Sequence, residues 1–288
     1  MTLAPAGIQD RATPRNARWG RRPVPGVRRL TRNSMLALGL SVTWFSLLVL
    51  IPLAAVVVQA TTGGWAGFID VLSNPQTAAA LRLTITSALI VTVVNVVAGP
   101  AIAWVLTRDR FRGAGVLDVI IDIPFALPTI VAGLVLLALY GPNSPLGVDI
   151  ANAQPAVYFA LAFVTLPFVV RTVQPVLEEL DTDVEEAAAS LGAKPLTTFR
   201  RIVLPSLVPA IAAGASMSFA RGISEYGSLV LLSGNLPFKT EVASVRVVSY
   251  IENGERASAA VVASVLLVVA LVVIVTLDVI QRRVARRG

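Results

Sequence analysis

The sequence predicts an all-α integral membrane protein with six transmembrane helices, and three observations carry that prediction. The first is composition. Of 288 residues, 55% are hydrophobic and 14% charged, and the mean hydropathy is +0.75, whereas a soluble domain carries about 25% charged residues. The second is the presence of six apolar runs, each near the roughly 20 residues that cross a bilayer. The third is the placement of Lys and Arg, which collect at the ends of those runs and mostly on one side of them.

Taken in order, residues 1–34 hold eight arginines, several prolines and little apolar periodicity, and read as a basic, disordered cytoplasmic tail. The first span covers about 35–60. Its end, "VVVQA", has the small residues of a cleavage site, but the run far exceeds a signal-peptide core of about 7–15 residues. A retained first helix is the expectation. Spans follow at about 83–106, 117–140, 156–176, 206–232 and 258–281, forming one six-helix domain over 35–283 with a cytoplasmic segment at 178–205. Residues 284–288 end the chain as a second cytoplasmic tail. Pro52, Pro100, Pro124, Pro128 and Pro167 fall in or near spans and read as helix kinks, tolerated where neighbouring helices satisfy the freed carbonyls.

Charge fixes the expected orientation. The proposed inner side holds eight basic residues in the tail, three at Arg108, Arg110 and Arg112, and four at Arg171, Lys194, Arg200 and Arg201. Four more are Arg282, Arg283, Arg286 and Arg287. The outer side holds only Arg82, Lys239, Arg246 and Arg256, and Arg221 lies within a span. The positive-inside rule therefore puts both termini in the cytoplasm. The stretch "GPNSPLGVDIANAQP" (141–155) has turn chemistry and no basic residue, which suits the outside.

Several functions are excluded at this level. The chain has no Cys and no His, so disulfides, thiol catalysis and imidazole chemistry are absent. The spans show no clustered carboxylates, so neither a catalytic nor a metal site is assigned. The net charge of +7 does not point to nucleic acid, because it sits at helix ends rather than in a patch. No G-x-x-x-x-G-K-[ST] phosphate loop is present, so the chain has no such nucleotide site.

The most polar long stretch of the second half is "DVEEAAASLGAKPLTTFRRIVLP" (183–205). Asp183 with Glu186, or Thr182 with Glu185 one residue earlier, offers a capping box for a short helix. Gly192 suits a left-handed C-terminal cap and Pro195 blocks continuation. "LTTFRRIVL" can start a second short helix, closed by Pro205 before the fifth span. Small side chains at Ala187, Ala188 and Ala189 allow another surface to approach closely, with Arg200 and Arg201 on a charged rim. An ordinary interfacial loop with good caps explains the same local features.

The spacing adds to this. Glu186-Ala187-Ala188, then Gly192, Ile202, Leu204 and Pro205, resembles the EAA signature, EAA-x3-G-x9-I-x-L-P, of ABC importer permeases at every fixed position. That resemblance implies the type I ABC importer permease fold, in which this segment contains a coupling helix that docks on an ATPase. It also implies that ATP and Mg are bound by a partner ATPase dimer, leaving no cofactor on this chain. "DIPFALPTIVAGLVLLALYGPNSPLG" (122–147), "LPFVVRTVQPVLEELD" (166–181) and "FARGISEYGSLVLLSGNLPFKTEVASV" (219–245) are similar to sulfate/thiosulfate permeases of the CysT/CysW type, and most like the T-type. Molybdate permeases share part of the last pattern, so a molybdate or tungstate importer is the alternative, with an ion-coupled secondary transporter further off. The resemblance further implies a bacterial inner-membrane location, a second permease subunit (CysW-like, or a second copy) and an extracytoplasmic sulfate-binding protein.

Within the fifth span, Gly214, Ser218, Arg221, Glu225 and Ser228 are spaced to share one helix face. Ionisable groups at membrane depth face a partner or a wet cavity. Ser218, Arg221, Glu225 and Ser228 therefore either line a pathway or permease interface, or, with Arg221 and Glu225 paired at i,i+4, fix helix packing. Asn95 reads as an interhelical hydrogen-bond residue. Asp118 and Asp122 read as snorkelling or helix N-terminal carboxylates, and Asp278 as a partner of Arg282. The segment 233–257 is expected at the outer interface.

Overall fold

The computed structural model describes residues 31–109 and 111–285. The basic tail expected over 1–34 falls almost wholly outside them, as do the last three residues of the chain. All regular elements among the described residues are helical. Among the described residues, five helices are long and apolar enough to cross a membrane, or six if one bent pair counts as a single span.

The chain divides after Ile51. The first unit contributes α1 (Arg32–Phe45), capped by the Thr31 hydroxyl accepting from Ser34 N, and a π-turn over Ser46–Leu50. Its apolar side chains are exposed throughout, as a lipid-facing helix requires.

The second unit holds all but the first residue of α2 (Ile51–Thr61), followed by α3 (Gly64–Ser73) and α4 (Pro75–Arg108). α4 starts eight residues before the predicted 83. Asn74 caps it by accepting from Gln76 N and Thr77 N, and Pro75 sits at the first turn, where a missing N–H costs nothing. The polar opening "PQTAAALR" hides this start from any hydropathy window. Next come α5 (Ala114–Ala126), α6 (Thr129–Tyr140), α7 (Gln154–Glu179) and α8 (Thr182–Ser190).

The third predicted span, 117–140, is not one helix. α5 and α6 meet at 119°. Leu127 precedes Pro128 and takes an extended conformation, ψ 135, because a residue before proline is disfavoured in the α region. Pro124 is carried inside α5, but Pro128 is a break rather than a kink.

After α8 come α9 (Pro195–Thr198), a π-turn over Phe199–Val203 and α10 (Leu204–Ile223), which together form one continuous helix from Pro195 to Ile223. Pro205 therefore does not close a short helix ahead of the fifth span. Proline lacks the N–H that would pair with the carbonyl four residues earlier. The helix passes it by widening one turn, with Leu204 N bonding Phe199 O five residues back. The predicted fifth span, 206–232, is also broken: α10 ends at Ile223 and α11 (Gly227–Leu232) starts afresh. α12 (Ala243–Glu252) and α13 (Arg256–Ala285) complete the chain.

The second unit is organised around α7. Over half of its apolar window is buried, against none for the Ser34–Thr61 helix. α4 and α10 pack on it from two sides at glycines. A Cβ at Gly99 would lie 2.6 Å from Val169 Cγ1, and one at Gly214 would lie 2.8 Å from Val169 Cα. Small residues let helix backbones approach in this way. Ala103, Ile121, Val169, Val170, Val173, Leu177, Val203 and Leu207 form one buried cluster. Val91, Leu136, Val157, Leu161, Leu229 and Leu232 belong to another. The two half-helices α6 and α11 also touch backbone to backbone: a Cβ at Gly133 would lie 2.7 Å from Ser228 O. In segment 233–257, α12 buries Ala243 and Tyr250 against α4 and α13, and Val245 in the cluster of Val91 and Leu229.

Candidate functional site

α8 begins where α7 stops, at Leu180. Its cap is Asp181, whose carboxylate accepts from Asp183 N at 3.0 Å. That is two residues before the cap expected at Asp183, and neither proposed capping box forms. Asp183 and Glu185 lie in the first turn, where the helix dipole favours negative charge.

The C-terminal end is a Schellman motif. Gly192 N donates to Ala189 O at 2.9 Å and Ala193 N donates to Ala188 O at 3.0 Å, with Gly192 at φ +82. The third residue of the EAA triplet thus supplies the carbonyl that the second bond of the cap requires. α8 has no buried residue. Glu186 and Ala187 are exposed, Ala188 half-buried, and Val184, Leu191 and Leu196 add exposed apolar surface around them.

The other end of the motif is anchored. Ile202 and Leu204 are half-buried and Pro205 exposed, but they flank Val203, which is fully buried with Leu207 in the α7 cluster. The motif therefore joins an open helix, α8, to the rigid root of α10.

Sequence reasoning missed the residue that ties α8 to the membrane helices. Arg108 ends α4, and its NH2 donates to Glu185 Oε1 at 2.8 Å and to Leu180 O at 3.0 Å. The guanidinium also stands 5.9 Å from the Trp104 ring centroid. In the sequence Arg108 is one of three closely spaced arginines, and nothing local distinguishes it from a charge that sets orientation.

A second missed cluster joins α5 to α7. Arg171 Nε donates to Asp122 Oδ1 at 2.7 Å, and NH1 donates to Asp118 Oδ1 at 2.7 Å and Gln174 Oε1 at 2.6 Å. The two aspartates are thus partners of Arg171, not free snorkelling groups. Arg171 itself lies within α7, a helix of span length.

The polar residues of the fifth span do not share one face. Ser218 is buried and accepts from Asn95 Nδ2 at 3.1 Å, while the same amide donates to Thr165 Oγ1 at 2.8 Å. This bridges α4, α7 and α10, as Asn95 suggested. Arg221, Glu225 and Ser228 form a different group, because the helix breaks at residues 224–226. Arg221 NH2 lies 2.7 Å from Glu225 Oε2, with the Glu225 side chain fully buried and that of Arg221 29% exposed. The other carboxylate oxygen accepts from Ser228 N at 2.8 Å and Ser228 Oγ at 2.9 Å. Glu225 thus binds the first turn of α11 and neutralises Arg221 at once. Asp278 and Arg282 pair at 2.8 Å on α13, as their spacing suggested.

Residues 98–287 match the family model of the binding-protein-dependent transport system inner membrane component. The sulfate transport system permease protein CysT of Salmonella typhimurium is 42% identical over 267 residues, covering 90% of this chain and 96% of that protein. CysT of Escherichia coli is 41% identical over the same length. Among solved structures, a bacterial ABC transporter that imports alginate superposes with a TM-score of 0.71 at 18% identity, covering 88% of this chain and 96% of that one. The MetNI methionine ABC transporter gives 0.55 at 19%, covering 72% and 94%. The helical architecture is that of ABC importer permeases, and the chain belongs to the family of inner membrane components of binding-protein-dependent transport systems.

Proposed function

We propose that the chain is the T-type permease subunit of an ATP-driven importer of sulfate and thiosulfate in a bacterial inner membrane. The observation that carries this reading is the 42% identity to a sulfate permease over 96% of that protein's length. Both termini face the cytoplasm, so that 178–205 meets a separate ATPase dimer that binds ATP and Mg. The second permease is a CysW-like subunit or another copy of this chain, and an extracytoplasmic sulfate-binding protein delivers the anion. In keeping with this, a solved complex of the alginate transporter carries a substrate-bound periplasmic protein.

Glu186, Ala187, Ala188 and Gly192 are then the docking helix. Ile202, Leu204 and Pro205 are the root through which its displacement enters α10. α8 suits the role because it has a rigid cap at each end, an open alanine surface, and no buried core of its own to disrupt. Arg221, Glu225 and Ser228 hold the broken fifth span together, and Ser218 belongs to the Asn95 bridge. The test is purification of the whole complex with its ATPase and binding protein, followed by ATP-dependent uptake of sulfate, thiosulfate and molybdate into proteoliposomes. Sulfate uptake that outcompetes molybdate supports the reading. Uptake of molybdate alone overturns the substrate, and uptake without an ATPase overturns the class.

A further inference from the structure

α8 and α4 differ in how they are held. α4 is roughly 50 Å long at 1.5 Å per residue and is fixed along its length. Thr77 pairs with Tyr250 Oη at 2.7 Å near the outer end, Asn95 bridges to α7 and α10 in the middle, and Gly99 rests on Val169. α8 has no such packing. Beneath it lies a groove of about 430 Å³ lined by Trp104, Glu185, Ala189, Ala193, Leu196 and Phe199. Apart from its covalent ends, the polar link from α8 to α4 is the Arg108–Glu185 pair. The same guanidinium holds the carbonyl of Leu180, the last residue before the α8 cap. Both side chains are mostly buried, 16% and 24% exposed, which makes the pair far less screened by water and salt than a surface ion pair. Arg108 Nε is also buried and has no partner among the described residues, so the fork keeps one donor free for a second carboxylate contact when α8 shifts.

We propose that Arg108 is a positioning residue that clamps the docking helix to the end of α4. Displacement of α8 by the ATPase then moves α4 and is not absorbed by the open groove between them. This rests on the reading of α8 as the docking element. Trp104 supports the clamp by covering one side of the guanidinium, and Glu185 is the acidic residue next to, not within, the EAA triplet.

The test uses the full reconstituted complex with its ATPase and loaded binding protein, and reads sulfate taken up per ATP hydrolysed. For Arg108→Ala, the ATPase copurifies and hydrolysis persists, while uptake per ATP falls by roughly tenfold, within the range of coupling between separate sites. Glu185→Gln, which keeps the shape and removes the charge, shows the same loss and serves if Arg108→Ala fails to fold. Arg108→Glu with Glu185→Arg recovers uptake per ATP that neither reversal shows alone. An unchanged ratio in both single variants, or a parallel fall of hydrolysis and uptake, overturns the clamp. Gly192→Val in the same assay separates the two readings. If it uncouples and the Arg108 and Glu185 variants do not, the clamp alone fails. If Gly192→Val leaves coupling intact, the docking reading fails with it.

Discussion

Gly192 offers a perturbation whose cost can be worked from the structure. It stands at φ +82, and a Cβ added there would meet nothing within 4 Å. Substitution therefore acts through the backbone alone. An L-residue in the left-handed region costs about 1–2 kcal/mol, and a β-branched one more, because its second γ substituent crowds the preceding carbonyl. Leaving that region breaks the two Schellman bonds to Ala189 O and Ala188 O. An isolated helix of nine residues is unstable by itself, and α8 has no buried residue to compensate. A loss of 1–2 kcal/mol thus lowers the population of capped α8 by about 5–30-fold, while the core around α7 is untouched. Gly254 provides the control. It is the same motif at the end of α12, with φ +80, no atom within 4 Å, Gly254 N bonded to Ile251 O and Glu255 N bonded to Tyr250 O. Gly192→Val should abolish most ATP-driven sulfate uptake at equal membrane abundance, Gly192→Asn should retain most of it, and Gly254→Val should have little effect on coupling. Full uptake by Gly192→Val, or an equal loss in Gly192→Asn, would refute the reasoning.

Three other outcomes follow from close contacts and buried groups. Gly133→Ala drives a Cβ to 2.7 Å from Ser228 O and 2.9 Å from Ser228 Cα. It should destabilise the α6–α11 contact by about 1–3 kcal/mol, seen as a lower melting temperature in detergent, and an unchanged melt would count against the packing. Arg221→Ala strands the fully buried Glu225 carboxylate and should cost about 3–5 kcal/mol, with much of the loss recovered when Glu225→Gln is added. If the single variant is as stable as the parent yet fails in uptake, the pair serves passage and not structure. Asn95→Ala removes both bonds to Thr165 and Ser218 and should lower stability by about 1 kcal/mol, in the range found for polar bridges between membrane helices.

The parts legible in the sequence were those set by hydropathy and by spacing. α7 and α13 are visible at nearly their full lengths because their apolar runs are long, and the left-handed cap at Gly192 is specified by one residue type. The breaks were not legible, for two different reasons. At Leu127–Pro128 the signal was present, but hydropathy is continuous across it, so a break and a kink look alike. At residues 224–226 there is no proline. At the break Glu225 meets both Arg221 and the amide of Ser228, a three-residue arrangement that the i,i+4 spacing disguised as an unbroken face. The α8 cap is ambiguous in the sequence because Asp181, Thr182 and Asp183 are all good caps. The choice among them falls to the end of α7, held at Leu180 by Arg108 from 72 residues away. Long-range ion pairs such as Arg108–Glu185 and Arg171–Asp118 leave no local pattern.

Those pairs also bear on where an anion is chosen. Among the described residues, two arginines within the long helices are already committed: Arg171 to two aspartates and Arg221 to a buried glutamate. A dianion entering beside α10 would meet an Arg221 whose charge is cancelled 2.7 Å away by Glu225, and its own charge would be repelled by that carboxylate. Displacing Glu225 would leave a buried carboxylate unpaired, at a cost of several kcal/mol. A tight sulfate site built on Arg221 is therefore unfavourable, and a weak one is what rapid release requires. On the proposed reading, discrimination between sulfate and other oxyanions has to be made before the anion reaches these helices. On that same reading, the paired charged groups of the chain hold broken helices in register and fasten the proposed docking helix to the longest one.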